Sequence, residues 1–119
     1  MRTFIATLGL LIYLPVMANE NHLHAAISAL QNPHSVLIDV RTADEFAVSA
    51  LPGAEQIDFE QIASRISALA PDKDTLIVLY CRSGRRSGIA EDRLRALGYS
   101  NLINGGGYEE LKVALQSQD

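Results

Sequence analysis

The chain has 119 residues, 48% of them hydrophobic and 20% charged, an ordinary globular balance with room for one domain that buries a core without disulfides or a structural metal. A formal net charge of −4 argues against a general nucleic-acid binder, so any cluster of arginines marks a local basic site on an acidic body. A single cysteine leaves no partner to resolve a disulfide and excludes a dithiol redox cycle.

Residues 1–18 read as an export signal rather than as part of the fold. Arg2 supplies a positive start, Phe4 to Val16 form an apolar core, and Val16-Met17-Ala18 place small residues for a cut before Asn19. The apolar run is short for a membrane span and holds no cysteine for lipid attachment. The expectation is a soluble domain over 19–119 with no stable membrane insertion after cleavage; it is periplasmic, or secreted where there is no periplasm. A lone thiol in an oxidising compartment is better explained by chemistry than by packing.

From Asn19 onward, Leu23, Ala26, Ile27 and Leu30 recur at helical spacing, predicting a helix over about 22–31 that Asn32-Pro33 ends. His22 and His24 point in different directions on such a helix, and with His34 they read as solvated, so no metal site is expected. Ser35 to Arg41 reads as a buried strand with a polar exit. Thr42 and Glu45 fit a capping box that opens a short helix through Val48. Leu51-Pro52-Gly53-Ala54 is a turn and 55–57 a short strand. Asp58 to Gln61 is a second cap-like pattern, followed by Ile62, Ala63, Ile66 and Leu69 on one helix face.

The next stretch organises the rest. The apolar run 76–80 stops at Cys81, a polar loop follows, and 89–97 reads as an amphipathic helix. A thiol there faces a helix N-terminus, and three arginines lie within the next five residues. Helix N-termini and cationic neighbours both populate the thiolate, and curled backbone N–H groups suit an anionic substrate. Gly98 is a natural C-terminal helix stop, 101–103 a brief strand, 104–107 a glycine loop, and 108–115 a terminal helix. Alternating strands and helices predict an α/β domain with a central parallel sheet flanked by helices on both faces, its site at the carboxyl ends of the strands.

Leu37-Ile38-Asp39-Val40-Arg41, Glu45-Phe46, Leu51-Pro52-Gly53-Ala54 and Tyr80-Cys81-Arg82-Ser83-Gly84-Arg85-Arg86-Ser87 resemble, in that order, the signature of the rhodanese homology domain. Gly98-Tyr99 and Asn104 to Tyr108 continue the likeness, which runs over roughly 22–112. The single domain behind an export signal is similar to the small periplasmic sulfurtransferases of the phage-shock type.

The resemblance implies a thiosulfate sulfurtransferase that needs no cofactor. Cys81 attacks the sulfane sulfur, and the persulfide passes it to cyanide or a thiol, a protein thiol included. Arg82, Ser83, Gly84, Arg85, Arg86 and Ser87 form the substrate-binding loop, with backbone N–H groups on the sulfur and an arginine on the sulfonate. Arg82 is favoured among the three arginines because its position is basic in many active members. Ser87 is expected to cap the helix, and Asp39 and Arg41 to order the loop's underside.

The chain departs from the family at Ser49-Ala50, where Gly-His is common, and at Leu111, where an aromatic residue is common. Two alternatives stay open. One is a cysteine phosphatase or arsenate-type enzyme, although Cys81 to Arg86 encloses four residues where phosphatases enclose five. The other is a non-enzymatic persulfide carrier or binding module. A monomer is expected in each case.

Overall fold

The most apolar strand of the chain is also the one nearest its chemistry. The computed structural model describes residues 14–118, with side chains described from His22 onward. Strands β1 (Val36–Asp39), β2 (Glu55–Gln56), β3 (Ile77–Cys81) and β4 (Leu102–Gly107) form one sheet in the order β2-β1-β3-β4. All neighbouring pairs are parallel. All five residues of β3 are buried. Burying an Ile, Val or Leu side chain stabilises by about 1.5–3 kcal/mol, which suits a β-branched run to the interior of a sheet covered on both faces.

Helices α1 (Leu14–Leu30), α2 (Ala43–Val48), α3 (Ile62–Leu69), α4 (Arg85–Ala96) and α5 (Tyr108–Gln116) supply the cover. Alternation along β3 divides the core in two. Ile77, Leu79 and Cys81 pack with Ile62 and Ile66 of α3 and Ala90 and Leu94 of α4. Val78 and Tyr80 pack with Ala26 and Ala29 of α1 and Tyr108 and Leu111 of α5. The doubly covered parallel sheet expected from the sequence is therefore the fold.

Local signals placed several elements correctly. Thr42 and Glu45 form the full capping box of α2. At the end of α4, Gly98 N–H bonds the Arg95 carbonyl and Tyr99 N–H the Leu94 carbonyl, the paired bonds of a Schellman motif.

Other boundaries moved. Helix α1 is already formed at Leu14, where the described residues begin, rather than starting near His22, and it runs through the Ala18–Asn19 junction. The rest of the expected export signal, residues 1–13, lies outside the described residues. In α3, Ala63 is exposed, and the buried face is Ile62 and Ile66 with Leu69 half-buried. The glycine run is not a loop. Strand β4 continues through it to Gly107. Pairing slips from Leu79↔Asn104 to Cys81↔Gly107, so β4 carries one extra residue, a bulge. It lies beside Cys81.

Candidate active site

Strand β3 ends at Cys81, and only Arg82, Ser83 and Gly84 separate it from α4. The N-cap of α4 is Gly84, at φ 95° and with no side-chain cap, so the left-handed conformation is met by the residue that adopts it without strain. The loop also lies flush on β4: a Cβ on Gly107 would stand 2.6 Å from the Arg82 carbonyl oxygen. The bulged glycines thus form the bed on which the cysteine loop rests.

Ser87 is not the cap. It is the third residue of α4 and is fully buried, with its hydroxyl 3.4 Å from Cys81 Sγ. Gly84 N–H donates to the same sulfur at 2.9 Å. Burial pushes the Cys81 thiol up, but the Ser87 hydroxyl and the backbone N–H groups of Ser87, Ser83 and Gly84 outweigh it and hold the thiol below its ordinary value. The sequence pointed to a helix N-terminus and nearby arginines. The main cause in the structure is a ring of hydrogen bonds.

The three arginines have separate fates. Arg86 forks onto Glu45, Nη1 to Oε1 at 2.9 Å and Nη2 to Oε2 at 3.1 Å. Arg82 has a side chain 79% exposed and comes no nearer to Glu45 than 3.9 Å. Arg85 is exposed. Between Glu45, Arg82, Ser49 and Tyr108 lies an open cleft of about 360 Å³.

Glu45 has a second job that its capping motif does not reveal. Oε1 also accepts from Thr42 N–H at 3.0 Å, so one carboxylate ties the start of α2 to the start of α4. Arg86, opposed by some desolvation and helped by Thr42, holds the Glu45 carboxyl down at about 2. A carboxyl depressed in the fold contributes stability that is complete above its unfolded value and lost as pH falls through about 2. Glu45→Gln is therefore expected to destabilise by about 1–3 kcal/mol at neutral pH. Its unfolding midpoint should converge with that of the parent as the pH drops below the ordinary carboxylate range. Thermal melts recorded across that range check this, and a constant gap at all pH values would remove the ion pair as the cause.

Asp39 and Arg41 are buried, as a paired acid and base must be to remain in a core. Arg41 Nε reaches Asp39 Oδ1 at 2.9 Å, and Nη2 reaches the Ser49 carbonyl at 2.7 Å. The guanidinium also lies 4.8 Å from the Tyr108 ring centre. These bonds steady the end of α2 and do not run to residues 82–87, so the expected underside support is replaced by support one element away. Of the two departures from the family pattern, Leu111 is fully buried in the core, whereas Ser49 is exposed, gives its carbonyl to Arg41 and borders the cleft.

One residue at the site had no signal in the sequence beyond its place before the glycines. Asn104 accepts from the Ser87 hydroxyl at 2.7 Å and donates to the Gly84 carbonyl at 3.0 Å. His22, His24 and His34 are exposed. Among the described residues no group of three or more His, Cys, Asp or Glu is placed to hold a metal.

The chain is similar to several known proteins. The thiosulfate sulfurtransferase PspE of Escherichia coli is 33% identical over 76 residues, 64% of this chain and 73% of the relative. A sulfurtransferase of Allochromatium vinosum is 36% identical over 89 residues, 74% of this chain and 81% of the relative. Among solved structures, the human single-domain sulfurtransferase TSTD1 superposes with a TM-score of 0.66 at 27% identity, covering 76% of this chain and 91% of that one. A rhodanese with anions from E. coli gives 0.62 at 33% identity, covering 64% and 89%. The family model for the rhodanese-like domain matches residues 22–114, from within α1 to within α5 and across every strand between. The chain belongs to the rhodanese-like domain family.

Proposed function

We propose that the protein moves sulfane sulfur from thiosulfate to a thiophilic acceptor through a persulfide on Cys81. The observation that carries this reading is a thiol at the end of β3 that receives the Gly84 N–H at 2.9 Å and is held below its ordinary value by its hydrogen bonds. In the first half-reaction the Cys81 thiolate forms a bond to the outer sulfur of thiosulfate, the old sulfur–sulfur bond breaks, and sulfite leaves with the electron pair. In the second, cyanide or a thiolate attacks the terminal sulfur and Cys81 regains its thiolate. The loop N–H groups that lower the thiol pKa also stabilise the charged persulfide without rearrangement.

The fork of Arg86 on Glu45 supports sulfur transfer over phosphoryl transfer. A phosphatase loop needs its arginine to fold over the anion above the cysteine, whereas Arg86 is committed to a carboxylate on α2. Relatives named as sulfurtransferases favour the same choice. Arg82 and Arg85 are both exposed, but only Arg82 of the three borders the cleft, and we assign it the sulfonate end of thiosulfate. Arg82→Ala is expected to raise the KM for thiosulfate about tenfold, the worth of one charge-assisted hydrogen bond, with kcat little changed. Steady-state kinetics check this; an unchanged KM removes Arg82 from the site.

We also propose that the domain works as a monomer after export to the periplasm. Cleavage after Ala18 leaves in place the part of α1 that carries the buried Ala26 and Ala29. No described helix is long and apolar enough to cross a membrane. Intact-protein mass spectrometry before and after thiosulfate tests the central proposal: one added sulfur atom, removed by cyanide, is expected. No gain from reduced protein would return the choice to a phosphatase or a binding module.

A further inference from the structure

Asn104 has three partners at the site, and two of them fix which way its amide points. Gly106 N–H donates to Oδ1 at 2.9 Å, and Nδ2 donates to the Gly84 carbonyl at 3.0 Å. A backbone N–H only donates and a carbonyl only accepts, so turning the amide over would lose both bonds. Oδ1 therefore faces Ser87 Oγ, 2.7 Å away, and Ser87 must be the donor. A hydroxyl has one hydrogen. While that hydrogen lies on Asn104, the 3.4 Å contact between Cys81 and Ser87 can be filled only by the thiol donating to Oγ. Once Cys81 is ionised the thiol hydrogen is gone, and Ser87 helps the sulfur only by swinging its hydrogen away from Asn104.

We propose that the Ser87 hydroxyl is a two-position donor, and that Asn104 is a positioning residue that holds its hydrogen while Cys81 is a thiol and so sets how readily Cys81 ionises. The proposal rests on Cys81 being the nucleophile of the sulfur transfer described above. The proton leaving Cys81 passes to solvent, and Ser87 keeps its own hydrogen and only re-aims it. Asn104 retains the Gly106 N–H throughout, so neither position leaves its oxygen bare.

Other charges surround the cysteine loop, and Arg86 acts on the sulfur, but they stand outside this exchange. Arg82, Arg85 and Arg86 come from its own loop and helix, with Glu45 of α2 paired to Arg86. Asp58, before α3, acts on Arg86 from further off. On the far side, His22 of α1 and Glu110 of α5 line a hollow of about 330 Å³ beside Gly84 and Asn104. Asp39 and Arg41 bond to each other, and Arg41 also donates to the Ser49 carbonyl. A neutral substitution at 104 leaves all of these charges in place, so its effect on Cys81 reads the Ser87 hydrogen.

The test is the rate of Cys81 alkylation by iodoacetamide as a function of pH, which reports the thiolate fraction and needs no sulfur donor. Its outcome is therefore read separately from the sulfur addition that tests the proposed function. Asn104→Ala, by freeing the Ser87 hydrogen for sulfur, is expected to lower the Cys81 pKa and speed alkylation below that pKa by up to about tenfold, the worth of one hydrogen bond. Ser87→Ala should slow it, and in the Ser87→Ala background Asn104→Ala should have no effect. A purely supporting role for Asn104 gives the opposite sign, because a loosened loop loses the N–H groups that favour the thiolate. A raised or unchanged pKa in Asn104→Ala overturns the proposal, as does a fall that persists without Ser87. Should Asn104→Ala fail to fold, Asn104→Asp keeps the acceptor oxygen. It must raise the pKa more with Ser87 present than in the Ser87→Ala background, and equal rises overturn the proposal as well.

Discussion

Cys81→Ser is expected to abolish sulfur transfer while leaving the fold in place. The change is isosteric to within the size difference of sulfur and oxygen, at a residue 1% exposed that ends β3. A serine hydroxyl there still accepts the Gly84 N–H and meets the Ser87 hydroxyl, so no buried polar group is orphaned and the cost stays small on the scale of a buried hydrogen bond. The chemistry has no such substitute. An alkoxide is not populated at neutral pH, and an oxygen cannot carry the displaced sulfur as a persulfide. Thiosulfate-dependent turnover should fall by several orders of magnitude, to the uncatalysed background. The circular dichroism spectrum should be unchanged, no sulfur should add to the intact mass, and no sulfite should be released. Turnover persisting in a folded Cys81→Ser protein would falsify a covalent mechanism through this residue.

What could be read from the sequence was local, and what could not was either distant or carried by residues without a side-chain signature. The capping box of α2 was legible because its two partners lie three residues apart and their chemistry is specific. The start of α4 was not. Arg85 and Arg86 occupy its first turn and add nothing to the apolar period, and a serine just before the periodic run is the usual sign of a cap. Here Ser87 is spent on the cysteine and on Asn104, and a glycine with positive φ makes the turn. The glycine run looked like a loop because strand periodicity is read from side chains. In the structure these residues stay in the sheet, where the Arg82 carbonyl leaves Gly107 no room for a Cβ. The fork of Arg86 on Glu45 spans 41 residues, and the bond from Ser87 to Asn104 spans 17. Neither has a trace in spacing. Cys81 itself was legible because its strand, loop and helix are contiguous.

Asp39→Ala is expected to be the most destabilising of these substitutions, and to act without touching the chemistry. The carboxylate is completely buried and takes Arg41 N–H and Nε at 2.9 Å each, besides Nη2. Removing it strands a guanidinium that is itself only 6% exposed, with the Ser49 carbonyl and two tyrosine faces as its remaining partners. Arginine cannot shed its charge to escape, since its ordinary value is far above neutrality even without Asp39 to raise it. Breaking a buried pair in this way costs about 3–5 kcal/mol, a large share of the roughly 5–15 kcal/mol that holds a domain together. Replacing both partners, as in Asp39→Leu with Arg41→Met, should recover much of that loss, because the penalty belongs to the unpaired charge rather than to the missing attraction. Urea unfolding of the single and double variants measures both quantities. A loss below about 1 kcal/mol in Asp39→Ala would mean that water reaches Arg41, and that the pair is not the support of α2 described here. Activity supplies the second discriminant. Arg41 lines the same cleft as Arg82, but its guanidinium is taken up by Asp39 and by the Ser49 carbonyl at the end of the helix that carries Glu45. Turnover per folded molecule should therefore stay within a few-fold of the parent even where the folded fraction collapses, whereas a direct part in sulfur transfer would lower both together.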